Sequence, residues 1–93
     1  MSRKRIAFRV HAVQRMFERR ITTHDDRRVL MTGEVVEDYP DDQPYPSRLI
    51  LGWCAGRPLH VVAADNPADQ EIIVITVYEP SPGRWGGFRR RKS

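Results

Sequence analysis

Residues 71–78, Glu-Ile-Ile-Val-Ile-Thr-Val-Tyr, restrict the fold more than any other part of the chain. Ile72 to Val77 are all β-branched, stiff about χ1 and poorly suited to a helix, but they pack well on a pleated surface. The run is apolar on both faces, so the spacing predicts a strand near the centre of a sheet, covered on both sides. The rest of the sequence must supply its neighbours and its cover.

Three further runs read as strands. Glu34 to Tyr39 ends at Pro40-Asp41-Asp42. Ser47 to Cys54 places Leu49, Leu51 and Trp53 on one face and Ile50, Gly52 and Cys54 on the other. Leu59 to Ala64 follows a tight reversal at Ala55-Gly56-Arg57, and Asp65 to Gln70 is a turn cluster. Short links favour antiparallel neighbours, because a parallel crossover needs a dozen residues or more.

Ahead of the strands the period becomes helical. Val10, Val13, Met16 and Phe17 predict an amphipathic helix with these residues inward, ending near Arg20. Thr23 and Asp26 suggest a capping box for a second helix from His24 to about Met31, with Val29 and Leu30 inward and Gly33 as its stop. Arg5 to Arg9 alternates weakly, as a short strand or an extended lead-in. The expected class is α+β: two N-terminal helices packed on an antiparallel sheet of about four strands. One domain over residues 1–85 and a flexible basic tail over 86–93 complete this reading.

At 93 residues the chain has room for one domain, and 40% hydrophobic with 30% charged residues is a globular balance. No apolar run approaches the ~20 residues that span a bilayer. Met1 to Arg9 is basic with no apolar stretch behind it, unlike a secretory signal. Cys54 is the only cysteine, which rules out an internal disulfide and a multi-cysteine zinc site. It suits a reducing compartment, so a cytoplasmic location is expected. With no glycine-rich phosphate loop and no paired histidines on one helix turn, neither a metal nor another cofactor is expected.

The net charge of +4 is unevenly spread. Nine basic residues lie at the two ends, residues 10–28 carry +2, and residues 29–83 set two arginines against nine carboxylates, a net −7. A polyanion such as RNA is drawn to the ends and the first helix and repelled by the remainder.

Candidate chemistry is spread along the chain. His11, Arg15, Glu18 and Arg19 share a helix face, where guanidinium forks suit phosphate and where i,i+4 ion pairs would equally serve a solvated surface. His60 interrupts the apolar run Leu59-His60-Val61-Val62, either as a hydrogen-bonded space filler or as a group for proton transfer. Tyr78 ends the last strand, placed to stack on a base, bond a phosphate or cap the core. Arg48, Tyr39 and Trp85 are candidate substrate contacts. Tyr45 brackets an acidic loop with Tyr39, His24 reads as a surface residue, and Cys54 as an inert core thiol.

Five separated motifs carry a family likeness: His11-Ala12-x-x-Arg15-Met16-x-Glu18-Arg19-x-Ile21; Gly33-Glu34-Val35-Val36-Glu37-Asp38-Tyr39-Pro40-Asp41-Asp42; Pro46-Ser47; Arg57-Pro58-Leu59-His60-Val61-Val62; and Ile75-Thr76-Val77-Tyr78-Glu79-Pro80 with Trp85. Together they resemble the bacterial family called domain of unknown function 4258, over roughly His11 to Trp85. Arg20 stands where that family more often has glycine. The family is similar in predicted fold to RelE-like toxins, including the MqsR type, and its genes often lie beside small zinc-finger/helix-turn-helix antitoxins. The resemblance implies a RelE-like sandwich and an mRNA-cleaving toxin held by an antitoxin partner.

The expected function is therefore a metal-independent endoribonuclease. His11 or His60 would act as base or acid, Arg15 and Arg19 as phosphate stabilisers, and Tyr78 as a substrate contact or proton donor. The alternative is a non-catalytic binding or regulatory module that docks a protein partner or RNA, in which the same residues hold helix to sheet.

Overall fold

The computed structural model describes residues 5–81, 83 and 85–91, without the side chains of Trp85, Arg90 and Arg91. The elements run β1 (Arg5–Phe8), α1 (Val10–Arg19), α2 (Thr23–Thr32), β2 (Glu34–Tyr39), β3 (Ser47–Cys54), β4 (Arg57–Asn66), β5 (Glu71–Tyr78), β6 (Trp85–Gly86) and β7 (Arg90–Arg91). The first five strands form one sheet in the order β1-β5-β4-β3-β2, and β6 pairs with β7 in a second, two-stranded sheet. Both helices lie on the same face, α1 over β5 and α2 over β3.

β2 to β5 form the antiparallel meander expected from the sequence. The sheet nevertheless has five strands and is mixed, because β1 runs parallel to β5 with Arg5 opposite Glu71 and Phe8 opposite Val74. Short links constrain only strands consecutive in sequence. β1 and β5 are joined through the whole of the intervening chain, so their parallel pairing needs no separate crossover. The expected central strand is interior but not central: β5 lies between β1 and β4, one place from the edge, and the helices cover only one of its two faces.

Ladder partners share a face of the sheet. Ile50, Cys54, Leu59, Val61, Ala63, Val74 and Val77 join Ala12, Met16, Ile21 and Val29 in the core beneath the helices. Strict alternation would not put both Val74 and Val77 on that side. The register shifts where Val62 pairs with Thr76 and Ala63 with Val74, leaving Ile75 as an extra residue. The β3–β4 hairpin turns on Ala55 and Gly56, both at positive φ (53° and 79°), the twist a two-residue hairpin requires.

The helix faces differ from expectation. Only Ala12 and Met16 of α1 are buried, while Val10, Val13 and Phe17 stand outward. The apolar arc of α1 is wider than the strip that rests on β5, and the sheet takes one side of it. Arg20 closes the helix in the left-handed region (φ 56°), its amide reaching Met16 and Phe17, while the Ile21 amide donates to the Met16 carbonyl at 2.9 Å. Glycine adopts that geometry without strain, whereas here an arginine carries the positive φ. In α2 the capping box is Thr22 with Asp25, one residue earlier than expected. Each bonds the other's backbone amide at 3.0 Å. That shift leaves Asp26 to turn inward, where it is wholly buried beside Val29 in the helix.

Candidate functional site

His60 lies between Leu59 and Val61, which both face the helices, so its own side chain points to the opposite face of the sheet. There it shares a row with Glu34, Leu51 and Tyr78. Its ring meets Tyr78 edge to face, centroids 5.2 Å apart, and Nδ1 lies 3.1 Å from the Tyr78 hydroxyl. Nε2 lies 2.7 Å from the carbonyl oxygen of Phe88. A carbonyl can only accept, so Nε2 carries the proton. In the neutral ring Nδ1 is then the acceptor, and the Tyr78 hydroxyl donates to it.

No helix covers this face, yet His60 has 0% of its surface exposed. Phe88, within the segment expected as a flexible tail, covers it. β6 and β7 pair around Gly87 and Phe88, both at positive φ (60° and 65°), which aims the Phe88 carbonyl at the histidine. The Phe88 ring meets Trp53 edge to face at 5.7 Å, and Arg89 Nε donates to Glu34 Oε1 at 2.5 Å. Beside this strap a cleft of about 310 Å³ is lined by Arg28, Thr32, Glu34, Leu51, Gly52, Trp53 and Arg89.

The other sequence candidates do not converge on this point. His11, Arg15 and Arg19 are exposed on α1, across the sheet from His60. Arg15 approaches Glu18 at 4.0 Å, an exposed pair of little energetic weight. The Arg19 carbonyl accepts a bond from Arg57, which also pairs with Glu79 at 2.7 Å and so ties the end of α1 to the end of β5. Arg48 is on the helix face, paired with Asp65 at 3.1 Å. Tyr39 shares the His60 face, but its row is set by Ser47 and Ala64, roughly 13 Å along the strand. Its hydroxyl donates to Glu37 at 2.6 Å. The Trp85 side chain lies outside the described residues. His11, Arg15 and Arg19 thus share no pocket with His60; of the sequence candidates only His60 and Tyr78 come together.

Sequence reasoning overlooked Trp53, Phe88 and Arg89. The alternation in β3 already placed Trp53 on one face with Leu49 and Leu51, without showing that the helices cover the other, and nothing local marked Phe88 as its partner. Cys54 is buried as expected, its thiol pushed up by burial and by the nearby Asp25, and Sγ lies 3.6 Å from the Asp25 carbonyl. Among the described residues no group of three or more His, Cys, Asp or Glu side chains could hold a metal ion. No helix among them is long and apolar enough to cross a membrane.

Residues 8–79 match the family model described as domain of unknown function DUF4258. The chain belongs to the DUF4258 family. No curated protein and no solved structure matches it. His60 and Tyr78 fall inside the DUF4258 match, whereas Phe88 and Arg89 fall beyond it. The pair thus lies within the family match and its cover outside it.

The cover has a direct test. Diethyl pyrocarbonate should modify exposed His11 and His24 and spare His60. In Phe88→Ala, which loses the contact with Trp53, His60 modification should rise about tenfold, the change expected if local closure weakens by roughly 1.4 kcal/mol. Continued protection of His60 in a folded variant would show that the Phe88 ring does not hold the strap down.

Proposed function

We propose that this DUF4258 protein is an RNA-cleaving toxin of the RelE/MqsR type, with His60 and Tyr78 as its acid–base pair. The observation that carries this reading is the direct bond between an imidazole and a phenol on the one sheet face that no helix occupies. RNA cleavage by its own 2′-hydroxyl needs a group to take the 2′ proton as that oxygen attacks phosphorus. A second group must protonate the departing 5′ oxygen, leaving a 2′,3′-cyclic phosphate and a 5′-hydroxyl. Imidazoles titrate near neutrality and suit the first role once the Phe88 carbonyl and ring have lifted from His60, which they bury in this structure, and a tyrosine hydroxyl can serve the second. Arg28 and Arg89 in the adjacent cleft supply cations for the phosphorane charge, and Trp53 offers a ring for a base. The RelE-like fold, the antitoxin partner and the cytoplasmic setting belong to the same proposal.

The reading releases His11, Arg15 and Arg19 from catalysis. Inducible expression in bacteria with mapping of RNA ends is the test. The wild-type chain and Arg15→Ala should both arrest growth and create new RNA ends, and His60→Ala and Tyr78→Phe should do neither. A folded His60→Ala variant that cleaves as well as wild type defeats the assignment. Absence of new ends from the wild-type chain favours the alternative, a non-catalytic docking module, to which the exposed apolar side chains of α1 also point.

A further inference from the structure

The strap built by β6 and β7 engages the groups that RNA would need. His60 has two ring nitrogens: Nδ1 meets the Tyr78 hydroxyl and Nε2 meets the Phe88 carbonyl at 2.7 Å. The Phe88 ring lies against Trp53, and the Arg89 guanidinium is bonded to the Glu34 carboxylate. An oxygen on His60, a ring on Trp53 and an anion on Arg89 are what a bound nucleotide would supply. Here the protein supplies all three itself.

The strap is also weakly held. β6 and β7 are two residues each and form a sheet of their own. Phe88 sits at φ 65°, a left-handed conformation that is costly for a residue with a β-carbon. The Arg89–Glu34 pair is more than half exposed on both sides, where an ion pair contributes little. A segment strained at its tip and fastened at its margin can lift without disturbing the core beneath the helices.

We propose that the strap is an intramolecular inhibitor, which single-stranded RNA must displace to reach His60 and Tyr78. The inference rests on the nuclease reading for the identity of the ligand and adds the regulation of that site. Only the open fraction of the protein can bind, so closure weakens the apparent affinity for RNA by that fraction. Saturating RNA removes the inhibition. The strap therefore sets the RNA concentration at which the protein acts, not its maximal rate.

The test compares the full wild-type chain with two variants that open the strap by different means. Phe88→Ala loses the ring, and Gly87→Ala puts a β-carbon at φ 60°, where its nearest neighbour is Arg89 Nη1 at 3.9 Å. Binding is measured with a mixed-sequence single-stranded DNA, which lacks the 2′-hydroxyl and cannot be cut by this route. Cleavage is measured with the RNA of the same sequence. Phe88→Ala should bind the DNA about tenfold more tightly than wild type and cut limiting RNA about tenfold faster, at an unchanged rate in saturating RNA. Gly87→Ala should move both in the same direction by about fivefold. A synthetic peptide of residues 85–91 should compete with the DNA for Phe88→Ala, and a peptide of equal charge carrying alanine in place of its phenylalanine should compete at least about tenfold less well.

Wild-type DNA affinity in both variants overturns the inhibitor, and if RNA is still cut, the nuclease reading stands without it. Equal competition by the two peptides would reduce the strap to its charge and overturn it too. Tighter DNA binding by both variants, with no RNA cut by any of the proteins, defeats the nuclease reading and leaves the strap as the guard of a binding face.

Discussion

Gly52→Ala should lower the thermal midpoint by roughly 15 °C, corresponding to about 3 kcal/mol in a domain of this size. A β-carbon built on Gly52 would lie 2.6 Å from Val29 Cγ2 and 2.9 Å from both Cβ and Cγ1 of that residue. Val29 is completely buried, so it has no rotamer that escapes into solvent. Relief requires α2 to retreat from β3, opening gaps beside Ile50 and Cys54. Val29→Ala alone should cost about 2 kcal/mol by leaving a cavity. The double variant should be more stable than the sum of the two losses by about 1 kcal/mol or more, because the new methyl partly fills the space vacated. Strict additivity in thermal and denaturant unfolding would mean that Gly52 and Val29 do not share this contact.

The second large effect is a dependence of stability on pH centred on Asp26. Its side chain is fully buried and neither carboxylate oxygen has a hydrogen-bond partner among the described residues. Burial, with the adjacent Asp25 charge adding to it, raises its pKa from 3.8 to about 7. A carboxylate in the first turn of a helix is normally favoured by the dipole, but that is worth only about 0.3–1 kcal/mol, less than desolvation here. Because the folded pKa exceeds the unfolded one, the native state binds more protons between about pH 4 and pH 7. The stability associated with the proton is complete below the unfolded pKa and is lost as pH rises through the folded one. The loss should be on the order of 2–4 kcal/mol. Asp26→Asn removes this titration while keeping the volume, although its amide leaves donors unpaired in the core. The variant should be less stable than wild type at pH 4.5 and more stable at pH 8, so that urea midpoints plotted against pH cross. A constant difference between the two proteins would show that Asp26 ionises as freely folded as unfolded.

What could be read from the sequence follows the range of the interactions involved. The runs 34–39, 47–54 and 71–78 are strands as expected, because β-branched composition and turn residues act locally. The helix ends were also nearly legible, since caps depend on neighbours three or four residues apart. The side of α1 that rests on the sheet was not. Ala12 and Met16 are a sparser signal than Val10, Val13 and Phe17, and periodicity cannot distinguish an apolar side chain that packs inward from one left outward. His60 could be marked as unusual within an apolar strand, and Tyr78 as a strand-end residue, but their meeting depends on the β4–β5 register. The cover over them depends on Phe88, 28 residues beyond His60, a distance at which no local pattern operates.

The parallel seam between the first strand and the fifth has a consequence for synthesis. α1 rests on β5, and β1 finds its hydrogen bonds there, so neither has a floor until residues 71–78 have left the ribosome. A nascent chain that stops before Glu71 holds β2, β3 and β4 with the β4 edge that β5 should fill left open, together with a helix α1 that lacks its floor. Such products invite proteases and chaperones rather than partial activity. Completion is therefore close to all-or-none, with β1 waiting for the strand that secures it until β5 has been made.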